Sequence, residues 1–151
     1  MCSSDLEKRM GKLKLAQNAI PQEQQYFLHG PKDAELTVLG WGSTKGTILD
    51  AIKELEEQGR KINFLQCRLM RPFPALKIEA ILKTSKKLAL VEENYSGQLG
   101  ALIREQTGVL IETRILKFDG RPFSQDELIA AFEKALTSAG AGVQEVVTNV
   151  G

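Results

Sequence analysis

Short apolar runs alternate with segments of helical spacing over most of the chain. The runs are rich in leucine, isoleucine, valine and phenylalanine, which is typical of strands buried on both faces of a sheet. The segments between them repeat apolar residues every three or four positions, as at Ile48, Ile52 and Leu55, and this spacing predicts helices. The predicted strands are 36–39, 62–69, 88–91 and 113–118, and the predicted helices are 44–58, 75–84, 97–107 and 124–139. The pattern therefore predicts an α/β fold with three α/β/α layers and a mainly parallel sheet.

Polar and glycine-containing segments divide the chain into three predicted parts. Residues 1–35 form an N-terminal helical arm, with a helix that ends before Pro21 and a linker that contains an extended piece near 26–28. Residues 36–140 form the α/β domain. Residues 141–151 form a tail whose valines fit both a helix and a strand, so its conformation stays open.

Several residues mark the ends of the predicted helices. Ser124 and Glu127 have the spacing of a capping box, in which a hydroxyl and a carboxylate each accept a hydrogen bond from a backbone amide. Gly59, Gly108 and Gly140 follow predicted helices, where a residue in the left-handed conformation closes the last turn.

Three loops follow predicted parallel strands and should meet at one edge of the sheet, where α/β domains carry their function. The loops are Gly40-Trp41-Gly42-Ser43-Thr44, Met70-Arg71-Pro72-Phe73-Pro74 and Glu92-Glu93-Asn94-Tyr95-Ser96-Gly97-Gln98. None of them contains a nucleophile with its base, a set of metal ligands or a complete phosphate-binding loop. We therefore expect a domain of an enzyme that lacks the catalytic residues.

The first loop admits two interpretations. Gly40, Gly42 and Gly46 lie where a dinucleotide-binding turn would lie, but the spacing is one residue too long and no acidic residue ends the next strand. A tight turn, with Ser43 or Thr44 capping the next helix, is the stronger interpretation. A possible anion-binding site comprises Ser43, Thr44, Arg68 and Arg71, although the arginines also fit solvated strand ends.

The third loop favours recognition over catalysis. Glu92 and Glu93 are neighbours on a strand and point to opposite faces, so they cannot act as an acid/base pair. One of them should face the sheet edge and the other the packed interior. Trp41, between two glycines, is either a packing plug or a contact for another surface. The predicted interface residues are Trp41, Glu93, Asn94, Tyr95, Gly97 and Gln98, and no residue is predicted to be catalytic.

Composition excludes several classes of protein. The formal net charge of +1 gives no reason to expect nucleic acid as a partner. Cys2 and Cys67 lie far apart, so we expect no metal site or iron–sulfur cluster held by this chain, and Cys67 is expected in the core. No apolar stretch reaches the length of a membrane span, and the charged N-terminal residues do not fit a secretory signal. A soluble cytoplasmic protein is expected.

The three loops together resemble the transketolase C-terminal-like domain. Within that superfamily they are most similar to the alpha subunit of 2-oxoacid:ferredoxin oxidoreductases of the 2-oxoglutarate type. The specific part is Glu93-Asn94-x-Ser96-Gly97-Gln98, and the order and spacing agree from about Leu36 to Ala139. The resemblance also suggests one antiparallel strand in the sheet.

This resemblance implies an assembly and interface domain within a larger complex. Such a complex oxidatively decarboxylates a 2-oxoacid to acyl-CoA and reduces ferredoxin. Thiamine diphosphate, magnesium, an iron–sulfur cluster and coenzyme A are expected in the whole complex, with none bound by this chain. The expected partners are the beta subunit and ferredoxin, in a homo- or hetero-oligomer. Two alternatives stay open: a free-standing anion- or nucleotide-binding module, and the equivalent domain of another thiamine-dependent enzyme.

Overall fold

The computed structural model describes residues 3–138 and the backbone of 144–147. Six helices and six strands lie within these residues. The helices are α1 (Ser3–Ala19), α2 (Gln22–Gln25), α3 (Lys45–Glu57), α4 (Ala75–Thr84), α5 (Gln98–Thr107) and α6 (Gln125–Thr137), and a 3-10 turn spans Gly42–Thr44. The strands are β1 (Tyr26–His29), β2 (Leu36–Trp41), β3 (Ile62–Cys67), β4 (Leu88–Glu92), β5 (Thr113–Leu116) and β6 (Gln144–Val147). None of the described helices is both long and apolar enough to cross a membrane.

The strands form one sheet in the order β1-β3-β2-β4-β5-β6. Strands β2 to β6 pair in parallel, whereas β1 pairs with β3 in the antiparallel direction. After β2 the chain adds β3 on one side, and it then returns to add β4, β5 and β6 on the other side. The strand order therefore reverses between β2 and β4, and the expected single antiparallel strand is β1.

Helices cover both faces of the sheet. Successive side chains on a strand point to opposite faces, and the central strands are apolar at successive positions, so both faces must be shielded from water. On one face, Val38 and Phe64 pack with residues of α3 and α6, and on the other face Leu39 and Leu65 pack with residues of α4 and α5. Side chains on both faces of the central strands are fully buried. The predicted three-layer α/β/α fold with a mainly parallel sheet is confirmed.

The helix ends confirm the predicted capping box and two of the three predicted glycines. Ser124 accepts a hydrogen bond from the amide of Glu127, and the Glu127 carboxylate accepts one from the amide of Ser124, which completes the capping box. Gly59 and Gly108 have φ of 86° and 75°, whereas Gly140 lies outside the described residues. The predicted cap of α3 is wrong. The 3-10 turn runs directly into α3, so the Thr44 hydroxyl turns back and donates to the carbonyl of Trp41 at 2.9 Å.

The segments on either side of the predicted domain contribute strands to the sheet. The helical arm is present as α1, whose residues have no buried side chain. Strand β1 comes from the segment predicted as a linker, and β6 comes from the predicted tail, where the rest of 141–151 lies outside the described residues. Where the domain begins and ends along the chain stays a prediction.

Candidate functional site

The carboxyl ends of β2 and β4 mark the point where the strand order reverses. In open α/β sheets the crevice at this point is the usual place for a functional site. Leu39 pairs with Leu90 across the two parallel strands, so two positions further along each strand Trp41 lies beside Glu92. Side chains two positions apart on a strand point to the same face of the sheet. Trp41 and Glu92 therefore share the face of Leu39 and Leu90, which is covered by α4 and α5.

The carboxylate of Glu92 is the centre of this region and is completely buried. Its Oε1 accepts hydrogen bonds from Trp41 Nε1 at 3.1 Å, from Asn94 Nδ2 at 3.1 Å and from the Leu99 amide at 2.8 Å. Its Oε2 accepts from the Gly100 amide at 3.5 Å. One side chain therefore joins the end of β2, the loop after β4 and the start of α5.

The amino terminus of α5 is occupied by side chains of the same loop. The amides of Gly97 and Gln98 donate to Asn94 Oδ1 at 2.7 and 3.2 Å, and the next two amides donate to Glu92. These groups are the ones that a helix start otherwise offers to an anion. Since the protein's own oxygens already accept from them, this helix start is used for internal structure.

The outward side of the same edge is aromatic. Tyr95 is 76% exposed and Phe118, just after β5, is 46% exposed. Their rings meet edge to face with centroids 5.1 Å apart. Trp41 is 38% exposed, while its indole N–H is bonded to Glu92. Together these three side chains form an aromatic surface at the carboxyl edge of the sheet, which we call the edge surface.

The predicted interface residues divide into two groups. Tyr95, Gln98 and Glu93 are exposed, and Glu93 Oε1 also accepts from the Phe123 amide at 3.1 Å. Asn94 and Gly97 serve the loop itself: Asn94 bonds to Glu92 and to α5, and Gly97 is buried with φ of 61°. Trp41 belongs to both groups, because its side chain is partly exposed and partly bonded inward.

The possible anion-binding residues are not brought together in one contact. Arg68 extends toward β1, on the side of β3 away from the β2 loop, where its guanidinium lies 5.4 Å from the centroid of the Phe27 ring. It donates to the Glu23 carbonyl and to Gln66 Oε1. Thr44 is buried and bonded to a carbonyl, whereas Ser43 and Arg71 are exposed. Anion binding by these residues stays a prediction.

An ion pair between a buried lysine and a partly buried glutamate fixes the chain beside Phe118. Lys117, with a side chain only 4% exposed, donates to both carboxylate oxygens of Glu127 at 2.9 and 2.8 Å and to the Pro122 carbonyl at 3.0 Å. The hydrogen bond from Lys117, together with that from the Ser124 amide, lowers the pKa of Glu127 below its ordinary 4.5. The segment that carries Phe118 is thereby attached to the start of α6.

The described residues contain no cluster of metal-binding side chains, and the start of α5 has no amide left for a phosphate group. Among them, no three histidine, cysteine or acidic side chains converge to form a metal site. Cys67 lies in the core, as expected, and burial, assisted by the charge of Glu92, raises the pKa of its thiol to about 12. The amides at the start of α5 are already bonded.

The local pattern does not decide which of the two glutamates faces the interior. The predicted interface residues include Glu93 and omit Glu92, so the buried carboxylate is not among them. The alternation of side chains along β4 gives part of the answer, because Glu92 lies two positions after Leu90 and therefore points to the same face of the sheet. Which face is covered at that point depends on the position of α5, which the local pattern does not give.

Comparisons with known proteins agree with this architecture. Residues 34–128 match the family model of the pyruvate:ferredoxin oxidoreductase core domain II. Subunit alpha of 2-oxoacid:ferredoxin oxidoreductase 2 from Aeropyrum pernix is 35% identical over 144 residues, which are 95% of this chain and 22% of that protein. The chain thus spans about a fifth of the length of the curated relatives it matches.

Two solved structures share the fold. The 2-oxoglutarate:ferredoxin oxidoreductase from Magnetococcus marinus, solved with 2-oxoglutarate, coenzyme A and succinyl-CoA bound, matches with a TM-score of 0.81 and 24% identity over 89% of this chain and 23% of that chain. A split gene transketolase, solved as an inactive beta4 tetramer, matches with a TM-score of 0.59 and 20% identity over 79% of this chain and 44% of that chain. At these identities both show the fold alone, and the second shows that the expected likeness to a transketolase holds for the fold.

Proposed function

This chain belongs to the pyruvate:ferredoxin oxidoreductase core domain II family, and from that premise we propose that it is an assembly domain in the alpha subunit of a 2-oxoacid:ferredoxin oxidoreductase. Its edge surface contacts another subunit of the complex. The residues that the sequence assigned to the interface serve this contact in two ways: Tyr95, Gln98 and Glu93 touch the partner, while Asn94 and Gly97 shape the loop.

The observation that supports this proposal is the contrast between the two sides of the sheet edge. Inside, the Glu92 carboxylate accepts four hydrogen bonds, so its polar groups are already paired. Outside, Tyr95, Phe118 and Trp41 remain exposed. Aromatic side chains surrounded by polar ones form the anchors of protein interfaces, and no reactive pair accompanies them in the described part of the chain.

The proposed complex oxidises a 2-oxoacid to acyl-CoA and passes electrons to ferredoxin in the cytoplasm. The resemblance of Glu93-Asn94-x-Ser96-Gly97-Gln98 supports 2-oxoglutarate as the substrate. Thiamine diphosphate, magnesium, the iron–sulfur cluster and coenzyme A would be bound outside this chain, and the beta subunit is the proposed neighbour. Comparing dye reduction by the purified complex with 2-oxoglutarate and with pyruvate tests the substrate, and equal or greater rates with pyruvate would refute the 2-oxoglutarate assignment.

The interface is tested with substitutions that leave the inner hydrogen bonds intact. In the alpha subunit that contains this chain, Tyr95→Ala combined with Gln98→Ala should reduce co-purification with the beta subunit. The matched control is Leu76→Ala on α4, because Leu76 is 82% exposed and lies outside the edge surface. Chromatographic mass and 2-oxoacid-dependent dye reduction are measured on the same samples.

We expect activity to fall in proportion to the complex lost, with the control unchanged. An intact complex with collapsed turnover would instead assign Tyr95 and Gln98 to the chemistry, and the assembly proposal would be wrong. The possible anion site is tested separately by titrating the chain with inorganic phosphate and with a nucleoside diphosphate, and by repeating the titration with Arg71→Ala.

A further inference from the structure

We propose that Glu92 is a positioning residue for the edge surface: its buried carboxylate holds Trp41 and the loop 94–97 in the arrangement presented to the partner. This inference rests on the proposed function, since it assumes that the edge surface is an interface. It adds a residue that lies beneath that surface and acts through its neighbours.

The connectivity of the hydrogen bonds is the first argument. Trp41 ends β2, Asn94 lies in the loop after β4, and Leu99 belongs to the first turn of α5. These three groups donate to the same oxygen, Oε1 of Glu92. Removing that oxygen would therefore release three separate segments together, whereas removing any one donor would release only one.

The orientation of Trp41 is the second argument. Its indole has one polar atom, Nε1, and this atom is bonded to a carboxylate that solvent does not reach. Trp41 is 38% exposed, and its only polar side-chain atom is already hydrogen-bonded, so the part that faces solvent has no unpaired polar group. A tryptophan fixed in this way loses little conformational freedom on association, which favours its use as an interface anchor.

The chemistry of the site explains why an acceptor side chain is needed beneath the edge surface. All the partners of Glu92 described above are donors, and the start of α5 adds the positive end of a helix dipole. The Arg114 guanidinium and Glu92 Oε2 both lie within 4 Å of the position that a Gly97 Cβ would take.

Glutamine in place of Glu92 keeps one acceptor oxygen, which can stay with Trp41, Asn94 and Leu99, and loses only the acceptor for the Gly100 amide. Methionine is of similar length and has no oxygen. Glu92→Met therefore removes the whole set of acceptors, whereas Glu92→Gln retains the oxygen that the three segments share.

The test combines a spectrum with a double-mutant cycle. The 151-residue chain has one tryptophan, so the fluorescence of this chain, purified without the rest of the alpha subunit, reports on Trp41 alone. Glu92→Met should shift the emission to longer wavelength while the far-ultraviolet circular dichroism stays native, and Glu92→Gln, which keeps an acceptor for Trp41, should shift it much less. A control away from this site is Glu127→Gln, which changes another carboxylate at a helix start that has no contact with Trp41; it should leave the emission unchanged.

Association with the beta subunit is then measured for Glu92→Met, Glu92→Gln, Trp41→Phe, the double variant Glu92→Met with Trp41→Phe, and Tyr95→Ala. We expect Glu92→Met to weaken association about tenfold, equivalent to about 1.4 kcal/mol, and Glu92→Gln to restore most of that loss. We also expect Glu92→Met to cost less when Trp41 is already phenylalanine, because part of its effect passes through the hydrogen bond to Trp41.

The outcomes separate the inference from the proposed function. If Tyr95→Ala weakens association but Glu92→Met does not, the edge surface is an interface and Glu92 does not position it. Unchanged emission in Glu92→Met, or full additivity of Glu92→Met with Trp41→Phe, would likewise overturn the inference. If none of the variants weakens association, the proposed function itself fails, and the role of Glu92 in an interface fails with it.

Discussion

Replacing Glu127 by glutamine should destabilise the protein by about 2 kcal/mol through the loss of one ion pair. Glutamine at this position keeps the capping box, since its amide oxygen can still accept from the Ser124 amide. What changes is the contact with Lys117, which loses a partner that accepts through both oxygens. The variant therefore isolates the ion pair from the helix cap.

The magnitude follows from the burial of the two side chains. Breaking a fully buried pair costs about 3–5 kcal/mol, whereas an exposed pair contributes about 0.2–1 kcal/mol. The Lys117 side chain is 4% exposed and that of Glu127 is 17% exposed. Lys117 also keeps the Pro122 carbonyl as an acceptor. An intermediate value of about 2 kcal/mol corresponds to a decrease of about 4–8 °C in melting temperature for a chain of this size.

The dependence on pH identifies the carboxylate as the cause. The pKa of Glu127 in the folded protein lies below its ordinary 4.5, chiefly because Lys117 donates to it. A lowered pKa in the folded state means that the stabilisation is complete above pH 4.5 and is lost as the pH falls through the folded value. The difference in unfolding free energy between wild type and Glu127→Gln should therefore be constant near neutral pH and should shrink below pH 4.5.

Urea denaturation at several pH values provides the measurement. The matched control is Glu133→Gln, an exposed position on the same helix α6, which should change stability by less than about 0.5 kcal/mol. A cost for Glu127→Gln no larger than that of the control would refute the assignment of the pair. A difference that persists undiminished in acid would show that the cost does not come from the ionised carboxylate.

Three further predictions concern single positions. Ser124→Ala should cost about 0.5–2 kcal/mol in denaturant unfolding through the lost cap, and an unchanged midpoint would contradict the hydrogen bond from Glu127. Gly97→Ala should lower the free energy of unfolding by about 1–2 kcal/mol because φ is 61° at this position. Lack of space is not the cause, since the nearest atom to an added Cβ, Glu92 Oε2, is 3.6 Å away. Gly46→Ala, where φ is not positive and no atom lies within 4 Å, is the control in the same unfolding assay. In a Cys2→Ser background, Cys67 should react with a thiol reagent only after unfolding, because burial raises its pKa to about 12; rapid labelling of the folded chain would refute this.

Local sequence patterns determined the elements of this fold. Runs such as 88–91 are apolar at every position because both faces of their strands are buried, and this requirement is visible without knowing which helix covers which face. The cap at Ser124 and the glycine at Gly108 follow from the geometry of a helix end within a few residues. Fold class and the edge that carries the three loops follow from the same information, because parallel strands connected by helices end at one edge.

Only the tertiary structure decided which side chains meet at that edge. Trp41 and Glu92 are 51 residues apart and become neighbours because β2 lies beside β4, whereas Arg68 extends toward β1 because β1 lies on the other side of β3. Strand order and the antiparallel pairing of β1 result from the burial of the whole sheet, to which many distant residues contribute at once. The local alternation of polar and apolar residues is the same for any strand order. The sequence therefore specified the loops, while the packing of the whole chain selected Glu92 as the carboxylate that joins the end of β2 to the loop after β4.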